Sequence, residues 1–362
     1  MEGPWKANWD EARRHFVEWW DHEGLVLNTG SVKRASPPRP GGEGECPEAG
    51  RWRYDLVHEP ERFALMTRWE LARQDFPADS LPLARPTLGP GSLGTMLGAE
   101  PVFEPDTVWY KPCIAEPERQ SPPVFSRSQR WWKVHEALIR ACVRASRGEF
   151  IVGCPDLIEN LDTLAALRGT QEVLMDLYDR PAWVKERISE INRAFFDAFD
   201  AVYDIIRLPD GSSAFWAFDL WGPGKVAKVQ CDASAMLSPG QFREFVVPAL
   251  REQCDWLDHS MFHLDGSQCT VHLDALFEID SLDAIEWTPD PRVPGGGDPH
   301  WYDMYRRILA AGKSVQAVHV RPGEVVPLIE AVGPEGLYIL TSGLEGAREA
   351  EELVRAVEQF RA

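Results

Sequence analysis

The segment "FHLDG" places an imidazole and a carboxylate two residues apart, at His263 and Asp265. Residues two apart on a β-strand point to the same face, so these side chains could share one ligand or one proton. Such a pair suits metal binding or proton transfer. A hydrogen-bonded pair that only braces a sheet is the structural alternative. A second His-Leu-Asp triplet at 272–274 falls in a predicted helix, where we expect a structural role.

Two further carboxylates stand where they could join this pair. Asp232 follows an apolar strand and precedes a helix start, so catalysis competes with helix capping. Glu286 lies in the apolar stretch "AIEWTP", which would raise its pKa and suit a general acid or base. A buried structural carboxylate is the alternative. The candidate catalytic residues are Asp232, His263, Asp265 and Glu286, and His263 and Asp265 are also candidate ligands of a divalent metal such as zinc.

Other side chains near predicted strand ends are candidates for substrate binding. Tryptophan faces bind quaternary ammonium groups and sugars, and the chain has fifteen tryptophans. Tryptophans also simply fill cores, which is the alternative at each position. The candidate substrate-binding residues are Asp156, Asp219, Trp221, Trp287 and His319.

The elements that must position these groups alternate between strand and helix. Five strand–helix units fill residues 215–360, and another unit lies at 150–207. This rhythm is typical of parallel βαβ units. It favours a (β/α)₈ TIM-type barrel, whose catalytic groups lie at the carboxyl ends of the strands. A doubly wound open sheet is the alternative, but no Gly-x-Gly-x-x-Gly or Walker sequence supports a nucleotide-binding version.

The chain is predicted to form one domain over residues 1–362. Residues 131–362 hold the regular β/α units, whereas residues 1–130 read as an irregular, helix-containing N-terminal extension. The region at 77–100 is rich in proline and glycine and is either active-site backbone or plain connection.

The amino-acid composition limits the kinds of partner that the protein could bind. The net charge of −19 argues against nucleic acid, and no apolar run is long enough to span a membrane. The charged amino terminus has no signal-peptide pattern, so a cytoplasmic location is expected. The seven cysteines are scattered without a Cys-x-x-Cys pair, which indicates reduced thiols. We expect a small-molecule substrate, and the sequence also allows a homodimer.

Several segments together resemble the uroporphyrinogen decarboxylase superfamily, and most closely its corrinoid-related and coenzyme M methyltransferases. They are "QCDASAMLSPGQFREFVVPALREQCDWLD", "FHLDG", "AIEWTPD" and "YILTSG", and the resemblance covers roughly residues 150–360. It implies a (β/α)₈ barrel and methyl transfer from a methylated substrate to a thiol or a corrinoid. The chain has no Asp-x-His-x-x-Gly corrinoid motif, so a corrinoid would be carried by a partner protein.

The departures from the family pattern define the expected site. The zinc methyltransferases use His-x-Cys and a later cysteine as ligands, whereas here Asp265 takes the first cysteine position and Ser342 or Leu344 the second. These departures argue against a thiolate zinc site. If a metal is bound, His263 and Asp265 would supply one nitrogen and one oxygen ligand, and the sequence names no third. The chain also lacks the "RQAGR"-like motif with which the decarboxylases hold substrate carboxylates, so tetrapyrrole decarboxylation is not expected.

Three functions fit these residues. The first is methyl transfer, with a methylated amine held between carboxylates and tryptophan faces. The second is a carboxylate-pair hydrolase or lyase acting on a sugar-like substrate through Asp232 and Glu286. The third is a non-catalytic barrel that binds a small molecule.

Overall fold

The computed structural model describes residues 4–104, 107–119 and 121–361. Its strands are short, and those of the main sheet are mostly buried. They are β1 (Leu25–Asn28), β2 (Val32–Lys33), β3 (Gln74–Asp75), β4 (Leu83–Ala84), β5 (Glu100–Phe103), β6 (Val108–Lys111), β7 (Ile151–Val152), β8 (Ser213–Phe215), β9 (Leu220–Gly222), β10 (Val226–Gln230), β11 (His259–Asp265), β12 (Ala284–Thr288), β13 (Ser314–Val320) and β14 (Leu337–Thr341).

The helices connect and cover these strands. They are α1 (Trp9–Trp20), α2 (Pro60–Ala72), α3 (Ser92–Met96), α4 (Arg130–Ser146), α5 (Asn160–Arg168), α6 (Thr170–Asp179), α7 (Pro181–Ile206), α8 (Pro239–Gln241), α9 (Val247–Trp256), α10 (Leu273–Phe277), α11 (Tyr302–Ala310), α12 (Pro322–Val332) and α13 (Ala347–Val357). A π-helical turn, Phe242–Val246, joins α8 to α9. Three 3₁₀ helices matter for the site: Ala217–Asp219, Asp232–Met236 and Ser267–His272.

The main sheet has six parallel strands in the order β1-β14-β13-β12-β11-β10. A separate parallel pair joins β4 to β7. The predicted alternation of strand and helix is confirmed from β10 to the carboxyl terminus. The closure of these strands into an eight-stranded barrel stays a prediction.

Local signals in the sequence explain where helices begin and end. Ser238 caps the helix that starts at Pro239, because its hydroxyl accepts the N–H of Gln241, as the Ser-Pro sequence predicts. The region 170–206 forms two helices, α6 and α7. Proline favours a first helical position and disrupts a helix interior, so α7 begins at Pro181 rather than continuing α6.

Helix α1 packs across the amino ends of the strands. The Trp19 indole N–H lies 3.3 Å from the Val315 carbonyl and 3.2 Å from that of Gly336, at the starts of β13 and β14. Its ring also packs edge-on against Tyr338 at 5.3 Å. Much of the aromatic content therefore serves the core, and the carboxyl ends of the strands are left as the open side.

Among the described residues, no helix combines the length and apolarity needed to cross a bilayer. All seven cysteines are free thiols, as their scattered spacing predicts.

Candidate metal centre at the carboxyl ends of the strands

Three predicted site residues converge at the carboxyl ends of β10 and β11. Gln230, the last residue of β10, pairs with His263 of β11. Asp232 and Asp265 each follow two residues later, so they lie at the same height along the two parallel strands. Asp265 ends β11, and Asp232 opens the 3₁₀ helix that follows β10. One ligand atom from each of Asp232, His263 and Asp265 lies within 4.8 Å of the other two. These three residues are called the triad below.

The triad has the chemistry of a divalent metal site. His263 Nδ1 is hydrogen-bonded to Glu286. The Nε2 atom is therefore the one whose lone pair can bind a metal. Within the described chain, the carboxylates of Asp232 and Asp265 have no cationic side chain as a salt-bridge partner. Two carboxylates this close repel each other unless a cation or a proton lies between them. One imidazole and two carboxylates suit zinc and the harder first-row divalent ions.

Glu286 lies behind the triad, on the strand next to His263. It pairs in register with His263 on the neighbouring strand, and its side chain is fully buried. One carboxylate oxygen accepts the His263 Nδ1–H, and the other accepts the Thr288 hydroxyl at 2.6 Å. Burial lowers the pKa of His263, but the Glu286 carboxylate outweighs it and holds that pKa above its usual value. The structure therefore places Glu286 as the group that orients the histidine.

Changing Glu286 to glutamine should weaken metal binding while preserving the fold. The amide keeps the size of the side chain but removes the charge that fixes the imidazole tautomer. Loss of such an outer carboxylate costs about 10- to 100-fold in metal affinity. Zn²⁺ titration against a chromophoric chelator measures the change. If Glu286→Gln has the wild-type melting temperature and the wild-type Zn²⁺ affinity, the Glu286 charge plays no part in metal binding.

Asp162 of α5 holds the backbone that carries Asp232. Its Oδ2 atom accepts the Asp232 N–H at 2.7 Å and the Gln230 side-chain amide at 3.2 Å. Its Oδ1 atom accepts the Ala233 N–H at 2.9 Å. These bonds satisfy free donors in the first turn of the 3₁₀ helix. The carboxylate therefore fixes the direction in which Asp232 points.

Acid should weaken any metal binding by the triad. Burial, together with the nearby Asp162 carboxylate, raises the pKa of Asp232 to about 6. The pKa of His263 is also raised, so both ligands take up protons more readily than usual. A proton on either ligand competes with the metal, and affinity should fall as the pH drops through about 6. Zn²⁺ titrations from about pH 5 to about pH 8 test this. A flat profile would contradict metal binding by these groups.

A buried ion network underlies the triad. Lys228 of β10 is fully buried, lies 2.7 Å from Asp156 and also bonds to Gln230. Burial lowers the pKa of Lys228, but Asp156 and Glu159 outweigh it, so the amine stays charged. Glu159 accepts the Gln230 N–H at 2.8 Å, and burial raises its pKa to about 8. The predicted substrate-binding residue Asp156 thus serves as the partner of a buried lysine.

A cleft of about 610 Å³ opens beside the triad. Asp162 and Asp232 form its acidic side. Trp109 and Tyr110 of the β5–β6 hairpin form an aromatic side, and Trp109 is largely exposed. The cleft has the size and mixed lining of a small-molecule site.

The other predicted substrate-binding residues lie apart from this cleft. Trp221 is buried beneath α1, 5.9 Å from the Trp9 ring. Trp287 is buried and packs against Trp301. His319 is exposed at a bulge in β13 with φ of 57°. Asp219 pairs with Arg85 at a second cavity.

Sequence reasoning missed three residues of the site. Asp162 is the acidic residue of the mostly apolar segment "NLDTLAAL", and Lys228 is the charged residue of the strand "VAKVQ". Both are signals of polar groups placed on buried faces. Phe218 packs 4.7 Å from the His263 ring and has φ of 62°, and the sequence gives no sign of this left-handed turn.

No protein-family model and no curated protein sequence matches the chain. Among solved structures, the fold is similar to a methyltransferase from Methanosarcina mazei. The TM-score is 0.60 at 11% identity, over 97% of this chain and 99% of that chain. A B12-independent methionine synthase from a Shewanella species, in complex with selenomethionine, superimposes with a TM-score of 0.39 at 11% identity, over 92% and 97% of the two chains. The first similarity shows that this chain has the mixed α/β fold of a known methyltransferase, and at 11% identity it shows the fold alone.

Proposed function

We propose that the protein is a metal-dependent methyltransferase with a closed (β/α)₈ barrel of the uroporphyrinogen decarboxylase type. The closure proposal is supported by the strand count. The six strands of the main sheet and the parallel pair of β4 and β7 make eight strands. Gly153 N–H donates to the Ala84 carbonyl at 3.0 Å and so extends the pairing of β4 with β7.

The convergence of the triad beside the acidic, aromatic cleft carries the functional proposal. Asp232, Asp265 and the Nε2 atom of His263 would hold the metal, and Glu286 would keep the imidazole oriented. A bound divalent ion supplies Lewis acidity, which lowers the pKa of a thiol or polarises the atom that carries a methyl group. Asp162 keeps Asp232 at the edge of the cleft, so substrate and ligands share one surface.

The cleft favours a methylated amine as substrate in this proposal. A tertiary or quaternary ammonium group would be attracted by the carboxylates of Asp162 and Asp232. The faces of Trp109 and Tyr110 would add cation–π attraction, worth about 0.5–2 kcal/mol. The acceptor would be a thiol or the corrinoid of a partner protein. A homodimer and a cytoplasmic location also stay predictions.

A methyl-transfer assay tests the function. The zinc-loaded full chain is mixed with tetramethylammonium, as the methylated amine, and 2-mercaptoethanol. Methyl passes from nitrogen to sulfur, the thiol loses its proton, and the nitrogen–carbon electron pair stays on nitrogen, which leaves as trimethylamine. The expected result is a rate above the protein-free background that falls at least about 100-fold in His263→Ala. A rate equal to background, or unchanged in that variant, would contradict methyl transfer to thiols.

No observation favours a carboxylate-pair hydrolase over methyl transfer. That chemistry needs two carboxyl groups facing one sugar. Asp232 faces the cleft, whereas Glu286 is fully buried and has both oxygens engaged by His263 and Thr288.

A further inference from the structure

A second cavity, of about 530 Å³, opens at the carboxyl ends of β1 and β4. The 3₁₀ turn Ala217–Asp219 lies between it and the triad. Phe218 of this turn contacts the His263 ring, while Asp219 lines the cavity. The cavity is therefore a separate space on the same open side of the strands, where α/β folds bind ligands.

We propose that this cavity binds a small carboxylic acid with an apolar body. Arg85 is the anchor, because among the described residues only Asp219 accepts a hydrogen bond from it. A guanidinium has five N–H donors in a planar fork, and the remaining donors match a carboxylate. The Arg85 side chain is half-exposed, so a ligand can reach it.

The remaining walls fit the rest of such a ligand. Leu81, Leu83, Phe76 and the ring of Trp216 supply apolar surface. The second arginine of the cavity, Arg53, is engaged by Glu70 and Thr67 at 2.6 and 3.2 Å. Arg85 is therefore the less engaged of the two cations, with one hydrogen bond against two, which favours one carboxylate per ligand over a dianion.

Benzoate and benzamide are matched probes for this proposal, since they share a shape and differ in charge. Saturation-transfer NMR titrations on the full chain measure both. Benzoate should bind saturably, and benzamide at least about tenfold more weakly. Arg85→Gln should remove this preference, whereas Arg85→Lys, which keeps the charge but not the fork, should retain part of it. Arg130→Gln is the control, since Arg130 is an exposed arginine paired with Glu100.

Three results would overturn the proposal: no saturable benzoate binding, equal binding of the two probes by the wild type, or an unchanged preference in Arg85→Gln. The titrations use chelator-treated protein, and they are repeated with His263→Ala. Benzoate binding that persists in both would stand even if the metal centre or methyl transfer failed, so the two proposals are tested separately.

Discussion

Replacing Asp265 with alanine should abolish stoichiometric metal binding. The change removes one of three ligand groups that converge within 4.8 Å, and with it half of the carboxylate charge of the triad. The loss should exceed the roughly 10- to 100-fold cost of losing an outer-shell partner, because the carboxylate would contact the metal itself. Zn²⁺ competition against a chromophoric chelator measures the affinity. Because Asp265 is exposed, the melting temperature of the metal-free variant should stay close to that of the wild type.

Asp274→Ala is the matched control. Asp274 belongs to the second His-Leu-Asp triplet and pairs with Arg307 on the surface. Its removal subtracts the same charge from the protein but leaves the triad intact. Equal loss of affinity in the two variants would mean that zinc responds to net charge rather than to a site. Unchanged affinity in Asp265→Ala would remove Asp265 from the ligand set.

Replacing Lys228 with methionine should destabilise the fold by about 3–5 kcal/mol. The amine is the cation 2.7 Å from the buried carboxylate of Asp156, and Glu159 lies nearby in the same interior. Without it, Asp156 must either stay charged without a partner or take up a proton, and both cost free energy. Urea unfolding followed by circular dichroism measures the difference.

Two further variants separate the ion network from a general effect of losing a lysine. Lys185→Met breaks a surface pair with Glu244 and should cost less than about 1 kcal/mol. Lys228→Met combined with Asp156→Asn should recover part of the stability, because it removes the unpaired charge. A single Lys228→Met variant as stable as Lys185→Met would show that the buried pair contributes little.

Much of the fold could be predicted because its signals are local. Each of the strands β11 to β14 contains a short group of apolar residues bounded by polar residues or glycine. The Ser238-Pro239 start of α8 and the Gly333 end of α12 follow from capping chemistry. The proposed closure of the sheet cannot be derived from such local signals. It would depend on strands as short as the two-residue β4 and β7, which leave no periodic pattern.

The candidate site could be predicted in part. His263 and Asp265 lie two apart on one strand, and Asp232 follows the neighbouring strand, so chain order alone brought them close. The role of Glu286 depends on its register opposite His263, which the sequence does not state. The hydrogen bond from the Asp232 N–H to Asp162 depends on where α5 packs, because the two residues are 70 positions apart in the chain. Such contacts are set by tertiary packing rather than by local pattern.

The second His-Leu-Asp triplet, at 272–274, has a different role from the first. His272 stacks on Phe242 at 4.3 Å and its Nε2 atom bonds to the Ser234 carbonyl at 2.9 Å. It packs one helical segment against another, whereas His263 keeps its Nε2 atom free at the end of a strand. Position in the fold, rather than the His-Leu-Asp sequence, separates a structural histidine from a candidate ligand.

X-ray absorption spectroscopy of the zinc-loaded full chain tests the central claim most directly. The triad predicts one zinc per chain with nitrogen and oxygen neighbours, including one imidazole, at about 2.0–2.2 Å. The buried thiols of Cys231 and Cys269 lie near the triad and would give sulfur neighbours at about 2.3 Å if they bound the metal instead. A sulfur shell, or less than stoichiometric zinc, would contradict the proposed site.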